Sequence, residues 1–81
     1  MRLYLISQST NWGYETFDSA VVAAKSAKIA KHMDPSTGLP KVFSEPSDAW
    51  CNSPDDVIVK FLGKAVKGTK QGVICASFNA G

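Results

Sequence analysis

Apolar and polar positions divide the chain into strand-like runs with one short helical segment between them. Arg2 to Gln8 alternates imperfectly, with Leu3, Leu5 and Ser7 on one side and Tyr4 and Ile6 on the other. Both sides are largely apolar, which suits a central strand covered on two faces. A second strand is read from Thr16 or Phe17 to about Ala24, because adjacent valines (Val21, Val22) prefer extended backbone. A helix follows Ser26, whose hydroxyl oxygen can accept an otherwise unpaired backbone N–H of the first turn. Ala27, Ile29, Ala30 and Met33 would face the sheet, and Lys28, Lys31 and His32 would face solvent. Asp34-Pro35 ends the helix, since the residue before proline avoids the helical conformation. A single longer helix from Ser19 to Met33 competes with this reading.

The last third holds the strongest pattern. Val57 to Leu62 and Gly72 to Phe78 are runs of strand formers joined by the lysine- and glycine-rich stretch Gly63 to Gln71. Strand formers bounded by turn formers read as a β-hairpin, and two-sided apolarity reads as interior strands. Asn79 is expected to be ordered and bonded to backbone near Trp50. Between helix and hairpin, about residues 35–55 form a long irregular loop containing all four prolines, with Lys41-Val42-Phe43 as a short edge strand. The predicted fold is a single α+β domain over 1–81. It has a small three- to four-stranded, mainly antiparallel sheet with one helix packed on a face, in the order β-β-α-β-β.

Composition narrows the function classes. With 44% apolar and 20% charged residues, the 81-residue chain is globular rather than disordered. A chain this short buries roughly 60–65% of its unfolded surface. An enclosed pocket would consume much of so thin a core, which favours a binding or structural role over an enzyme. No apolar run approaches a membrane span, and Leu3 to Ile6 is too short for a signal-peptide core. A cytoplasmic protein with no membrane partner is expected. The net charge of +2 is unevenly placed. Residues 34–56 carry five acids and one base, and residues 57–81 carry Lys60, Lys64, Lys67 and Lys70 with no acid. With Lys25, Lys28 and Lys31, the pattern suggests an acidic loop beside a basic hairpin turn. These lysines suit phosphates or an acidic protein surface, or simply a solvated turn.

Candidate chemistry is sparse. Cys51 and Cys75 lack metal or redox spacing and read as reduced thiols. One histidine, His32, gives no basis for a metal site, and no cofactor is expected. Gly63 to Lys70 has the glycine gap of a phosphate loop, but its lysine follows the threonine and no helix opens after it. Asp55 and Asp56 are adjacent, but neighbours in a strand point to opposite sides, and Asp55 reads as part of a turn after Pro54 rather than as one of a paired acid and base. Trp12, Tyr14 and Trp50 are the aromatics with open roles: each either anchors a loop to the core or forms a surface contact.

Several segments together resemble a family of small phage, prophage and bacterial proteins. They are Leu3 to Gln8, Gly13 to Phe17, Asp18 to Ala24, Ser53 to Val59, Leu62 to Ala65 and, most specifically, Ala76-Ser77-Phe78-Asn79-Ala80-Gly81. The resemblance carries over no catalytic or binding residue. The helix here is Ala- and Lys-rich where more Glu is expected. What the resemblance implies is a setting in which small non-enzymatic proteins bind and block host machinery, as anti-CRISPR-like inhibitors do. The expected function is therefore inhibition of a host protein or nucleoprotein complex. Trp12, Tyr14 and Trp50 would serve as anchors, and Lys64, Lys67 and Lys70 as steering charges. Nucleic-acid or nucleotide binding through the lysines, and a self-associating module, monomer or homodimer, are the alternatives.

Overall fold

The computed structural model describes residues 1–11, 13–43 and 49–79. Four strands, β1 (Arg2–Ser7), β2 (Thr16–Ala24), β3 (Ile58–Lys64) and β4 (Gly72–Asn79), form one antiparallel sheet in the order β3-β1-β2-β4. A five-residue helix, α1 (Ala27–Lys31), and a 3-10 turn (Pro54–Asp56) complete the regular structure among the described residues. The architecture is α+β in the predicted element order. In its shortest dimension the molecule spans 18 Å, the thickness of a sheet with a single layer on it.

The central hairpin pairs β1 with β2 from Arg2↔Ala24 to Ser7↔Ser19. Directly paired residues share a face, so Tyr4, Ile6, Ala20, Val22 and Ala24 point one way. Ala30, Met33, Trp50, Cys51 and Val57 close over that face and complete the core. Gln8, only 6% exposed, organises the turn that follows β1. Its Nε2 donates to the carbonyls of Asn11 (2.6 Å) and Phe17 (2.8 Å). Its Oε1 accepts from the backbone N–H groups of Thr10 (3.0 Å) and Asn11 (2.8 Å). The turn closes through Glu15, which adopts a left-handed φ of 60°.

The start of α1 is as its residues dictate: Ser26 Oγ accepts from the Ile29 N–H at 3.3 Å. The helix ends at Lys31, short of the expected Met33. There His32 Nδ1 donates to the Lys28 carbonyl, and an Asp34 turn, with the carboxylate accepting from Ser36 N and Oγ, carries the chain away. Fewer than two turns of helix present one narrow stripe, so Ala30 and Met33 are buried while Ala27 and Ile29 are exposed.

The predicted β3–β4 hairpin does not form. β3 pairs with β1, β4 pairs with β2, and the two lie on opposite edges of the sheet. Residues 65–71 cross the whole end of the sheet to join them. Three interstrand spacings are about 14 Å, well within reach of seven residues. The apolar residues read as interior positions are therefore open to solvent, with Ile58 62%, Phe61 56%, Ile74 53% and Phe78 47% exposed. Lys41 to Phe43 adds no strand, and the nearest pairing is an isolated bridge between Met33 and Pro40. Asn79 is ordered, but its Nδ2 donates to the carbonyl of Gly13 at 2.6 Å, in the β1–β2 turn. That turn is itself tied to Trp50, whose carbonyl accepts from Asn11 Nδ2 at 2.9 Å.

Candidate interaction surface

The strand registers set which side chains share the face opposite the core. They are Leu3, Leu5 and Ser7 on β1, Ser19, Val21 and Ala23 on β2, Ile58, Lys60 and Gly63 on β3, and Gly72, Cys75 and Ser77 on β4. The helix and the core-forming segments around Met33, Trp50 and Val57 all pack on the other side. A solvated sheet face ordinarily alternates to polar side chains. Here the two central strands instead offer the half-buried Leu3, Leu5 and Val21, with the exposed Ile58 beside them, while Ala23 on the same side is fully buried.

Charge is separated along the strands. Arg2 pairs with both Ala24 and Lys64, and Gly72 pairs with Ala23, so one end of the sheet gathers Arg2, Lys25, Lys64 and the crossover residues Lys67 and Lys70, all exposed. The Ala65 N–H donates to the Met1 carbonyl at 3.1 Å and holds that crossover against the end of β1. At the other end lie Glu15, Asp18, Asp55 and Asp56, next to Thr16, Ser7 and Ile58. Of the acids between residues 34 and 56, Asp55 and Asp56 are thus set apart from the basic end, while Asp34 lies in the turn that brings Gly38 against Gly72. The crossover from β2 to β3 returns the chain along the sheet and leaves Asp55 and Asp56 about 17–20 Å from the lysines, the length of a six-residue strand.

This placement divides the expected contact set. Lys64, Lys67 and Lys70 do come together. Tyr14 is 78% exposed but sits at the acidic end, so it cannot share one small patch with them. Trp50 is 1% exposed and packs in the core, where it presents no contact surface; the reading of it as a partner anchor is corrected to a loop anchor. Trp12 lies outside the described residues. The sequence reading missed the open-face residues Leu3, Leu5, Val21 and Ile58. Their signal is the two-sided apolarity of the strands, which here accompanies a second face that no helix covers.

Two grooves flank α1. One, of about 240 Å³, is lined by Lys28, Ile29, His32, Met33, Gly38 and Pro40 and is smaller than usual small-molecule pockets. The other, of about 410 Å³, is open and lined by Arg2, Tyr4, Ala27, Phe61 and Lys64. There Tyr4 and Phe61 meet edge to face, with ring centroids 5.7 Å apart. The thiols lie on opposite sides of the sheet, Cys51 in the core and Cys75 exposed on the open face. Burial pushes the Cys51 thiol above its ordinary value, and the nearby Asp56 carboxylate adds to the effect. Among the described residues no group of three or more His, Cys, Asp or Glu side chains could hold a metal ion, and no helix is long and apolar enough to cross a membrane. Comparison with family models, curated proteins and solved structures returns no match.

Proposed function

We propose that this chain is a non-enzymatic protein-binding module that engages its partner through the open face of the sheet. The observation that carries this reading is the apolar centre of that face, Leu3, Leu5, Val21 and Ile58, on the side away from the helix and the core. Contiguous apolar surface rimmed by charge marks interaction sites. Lys60 within the face, and Arg2, Lys64, Lys67 and Lys70 at one end, select a partner whose apolar surface is bordered by acids. The resemblance to small phage and bacterial proteins supplies the setting: an inhibitor that occupies a surface of a host complex.

The test is affinity capture from a bacterial lysate with wild type and two variants. Ile58→Glu places a charge on the open face at a position too exposed to disturb the core. Tyr14→Ala removes the exposed aromatic at the acidic end. A protein retained by wild type and Tyr14→Ala but lost by Ile58→Glu is the expected result. Equal retention by Ile58→Glu overturns the assignment.

The open groove beside α1 favours a second reading, because Arg2 and Lys64 flank the exposed ring of Phe61. Cations beside an aromatic suit a nucleotide or single-stranded nucleic acid. Such binding would weaken steeply with salt and would be lost in a Phe61→Ala, Lys64→Ala double variant. No oligonucleotide binding at low salt removes this reading.

A further inference from the structure

We propose that the smaller groove, between α1 and the loop that follows it, is a binding site for a small aromatic carboxylate. Lys28, Ile29 and His32 line it from the helix, Met33 and Pro40 from the loop, and Gln71 from the end of the crossover. The loop is held in place by its own backbone. The Asp34 N–H donates to the Leu39 carbonyl at 2.8 Å, the Lys41 N–H donates to the His32 carbonyl at 2.7 Å, and Met33 and Pro40 form a bridge. Gly38 presses the loop against the start of β4, where a Cβ would come within 3.3 Å of Gly72 Cα. The groove is therefore formed before any ligand arrives, as small-molecule sites usually are.

Size, lining and charge define the occupant. A volume of about 240 Å³, that of about eight waters, holds one ring with a short arm. Ile29, Met33 and Pro40 give an apolar lining, and the imidazole of His32 adds a flat one. That ring is fixed, because Nδ1 donates to the Lys28 carbonyl at 2.8 Å and Phe43 meets the ring edge to face at 6.1 Å. The Lys28 ammonium and the Gln71 amide supply donors, and no acid is among the described lining residues. The carboxylate of Asp34 is engaged elsewhere, with the Ser36 N–H at 2.8 Å and the Ser36 hydroxyl at 2.6 Å. An apolar ring with a negative head is the complement of such a site. A peptide would find no backbone donor there. The N–H groups of Ile29, His32, Met33 and Gly38 are bonded within the chain, and Pro40 has none. Recognition then falls to side chains, which selects a free acid over an extended chain. The site lies on the helix side of the sheet and does not rest on partner binding through the open face.

A titration of the ¹⁵N-labelled protein with 4-phenylbutyrate, followed through its amide resonances, tests the proposal. Saturable shifts centred on Ile29, Met33, Gly38 and Gln71 are expected, with a Kd of about 1 mM or below, the scale open to so small a ligand. The matched alcohol, 4-phenylbutan-1-ol, should bind about fivefold or more weakly, because it lacks the charge that Lys28 meets. Lys28→Ala should bring the acid down to the affinity of the alcohol and leave the alcohol unchanged. Ile29→Trp, at a position already open to solvent, should fill the groove and abolish both. Ile58→Glu, on the other face, should change neither. No saturable shift at about ten times the expected Kd, or shifts centred on Arg2 and Phe61 instead, overturns the site. Equal binding of acid and alcohol, or an acid affinity untouched by Lys28→Ala, overturns the carboxylate assignment. Tighter binding by a short peptide ending in phenylalanine overturns the choice of a free acid.

Discussion

Gln8 concentrates more structural work than any other polar residue in the first hairpin, and its removal has a calculable cost. In Gln8→Ala, two backbone N–H groups (Thr10, Asn11) and two carbonyls (Asn11, Phe17) lose partners at 2.6–3.0 Å. At a net 0.5–1.5 kcal/mol per bond the loss would be about 2–6 kcal/mol. Thr10 is exposed and Asn11 half-buried, so water can replace part of it, and the lower half applies: about 2–4 kcal/mol. That is a large share of the stability of a domain this size. Urea denaturation at neutral pH reads it as a lower midpoint at constant slope. Gln8→Glu separates hydrogen bonding from packing. Its carboxylate keeps the acceptor role but faces the two carbonyls with no N–H to offer. Burial and those carbonyls raise its folded pKa above the unfolded value, so the folded state binds more protons and stability rises as pH falls. Gln8→Glu should therefore be at least as unstable as Gln8→Ala near neutrality and should recover part of the loss on acidification. A Gln8→Ala midpoint matching wild type, or a Gln8→Glu deficit that ignores pH, would falsify the assignment of the turn to this side chain.

Two further predictions rest on local geometry. Gly38 has a φ of 75°, and a Cβ there would lie 3.3 Å from Gly72 Cα and Val73 N, so Gly38→Ala should cost about 1–2 kcal/mol or more in the same denaturation assay. A neutral Gly38→Ala would mean that the turn yields without strain. In native protein at neutral pH one thiol, Cys75, should react quickly with a disulfide reagent and Cys51 only after unfolding. Because burial raises the Cys51 pKa, its contribution to stability is complete below the ordinary thiol value and declines as pH rises through the raised one. Two fast thiols in the native state would refute the burial of Cys51.

The sequence reading located the elements better than their neighbours. The β2 valines, the Ser26 cap and the turn after Pro54 are local signals, and each appears where its chemistry places it; the structure adds that Ser53 Oγ accepts from the Asp55 N–H at 3.2 Å. Pairing is not local. β3 and β4 are adjacent in sequence and suited to a hairpin, yet β1 and β2 already form the central pair, and each outer strand adds to a different side of it. Two-sided apolarity was the misleading signal. In β1 it accompanies a central position, with Tyr4 and Ile6 in the core and Leu3 and Leu5 half-buried between neighbouring strands. In β3 and β4 it marks edges that retain apolar side chains on both faces. Sequence alone shows Gln8 only as the end of a strand, because nothing in its immediate sequence indicates that Phe17, nine residues on, returns to it.

Those exposed apolar edges and the separation of charge have a joint consequence. Within one chain the acidic and basic ends are about 17–20 Å apart, roughly two screening lengths at physiological salt, so they attract one another little. The separation therefore contributes little to folding, and its effect falls on how the molecule meets others. β3 carries two lysines along its edge, while the uncharged β4 edge runs from the basic end to the acidic one. The apolar face, bordered at one end by Arg2, Lys25 and Lys64, is what an acid-bordered partner would meet, and a charge placed within it at Ile58 should abolish that contact while leaving the core intact.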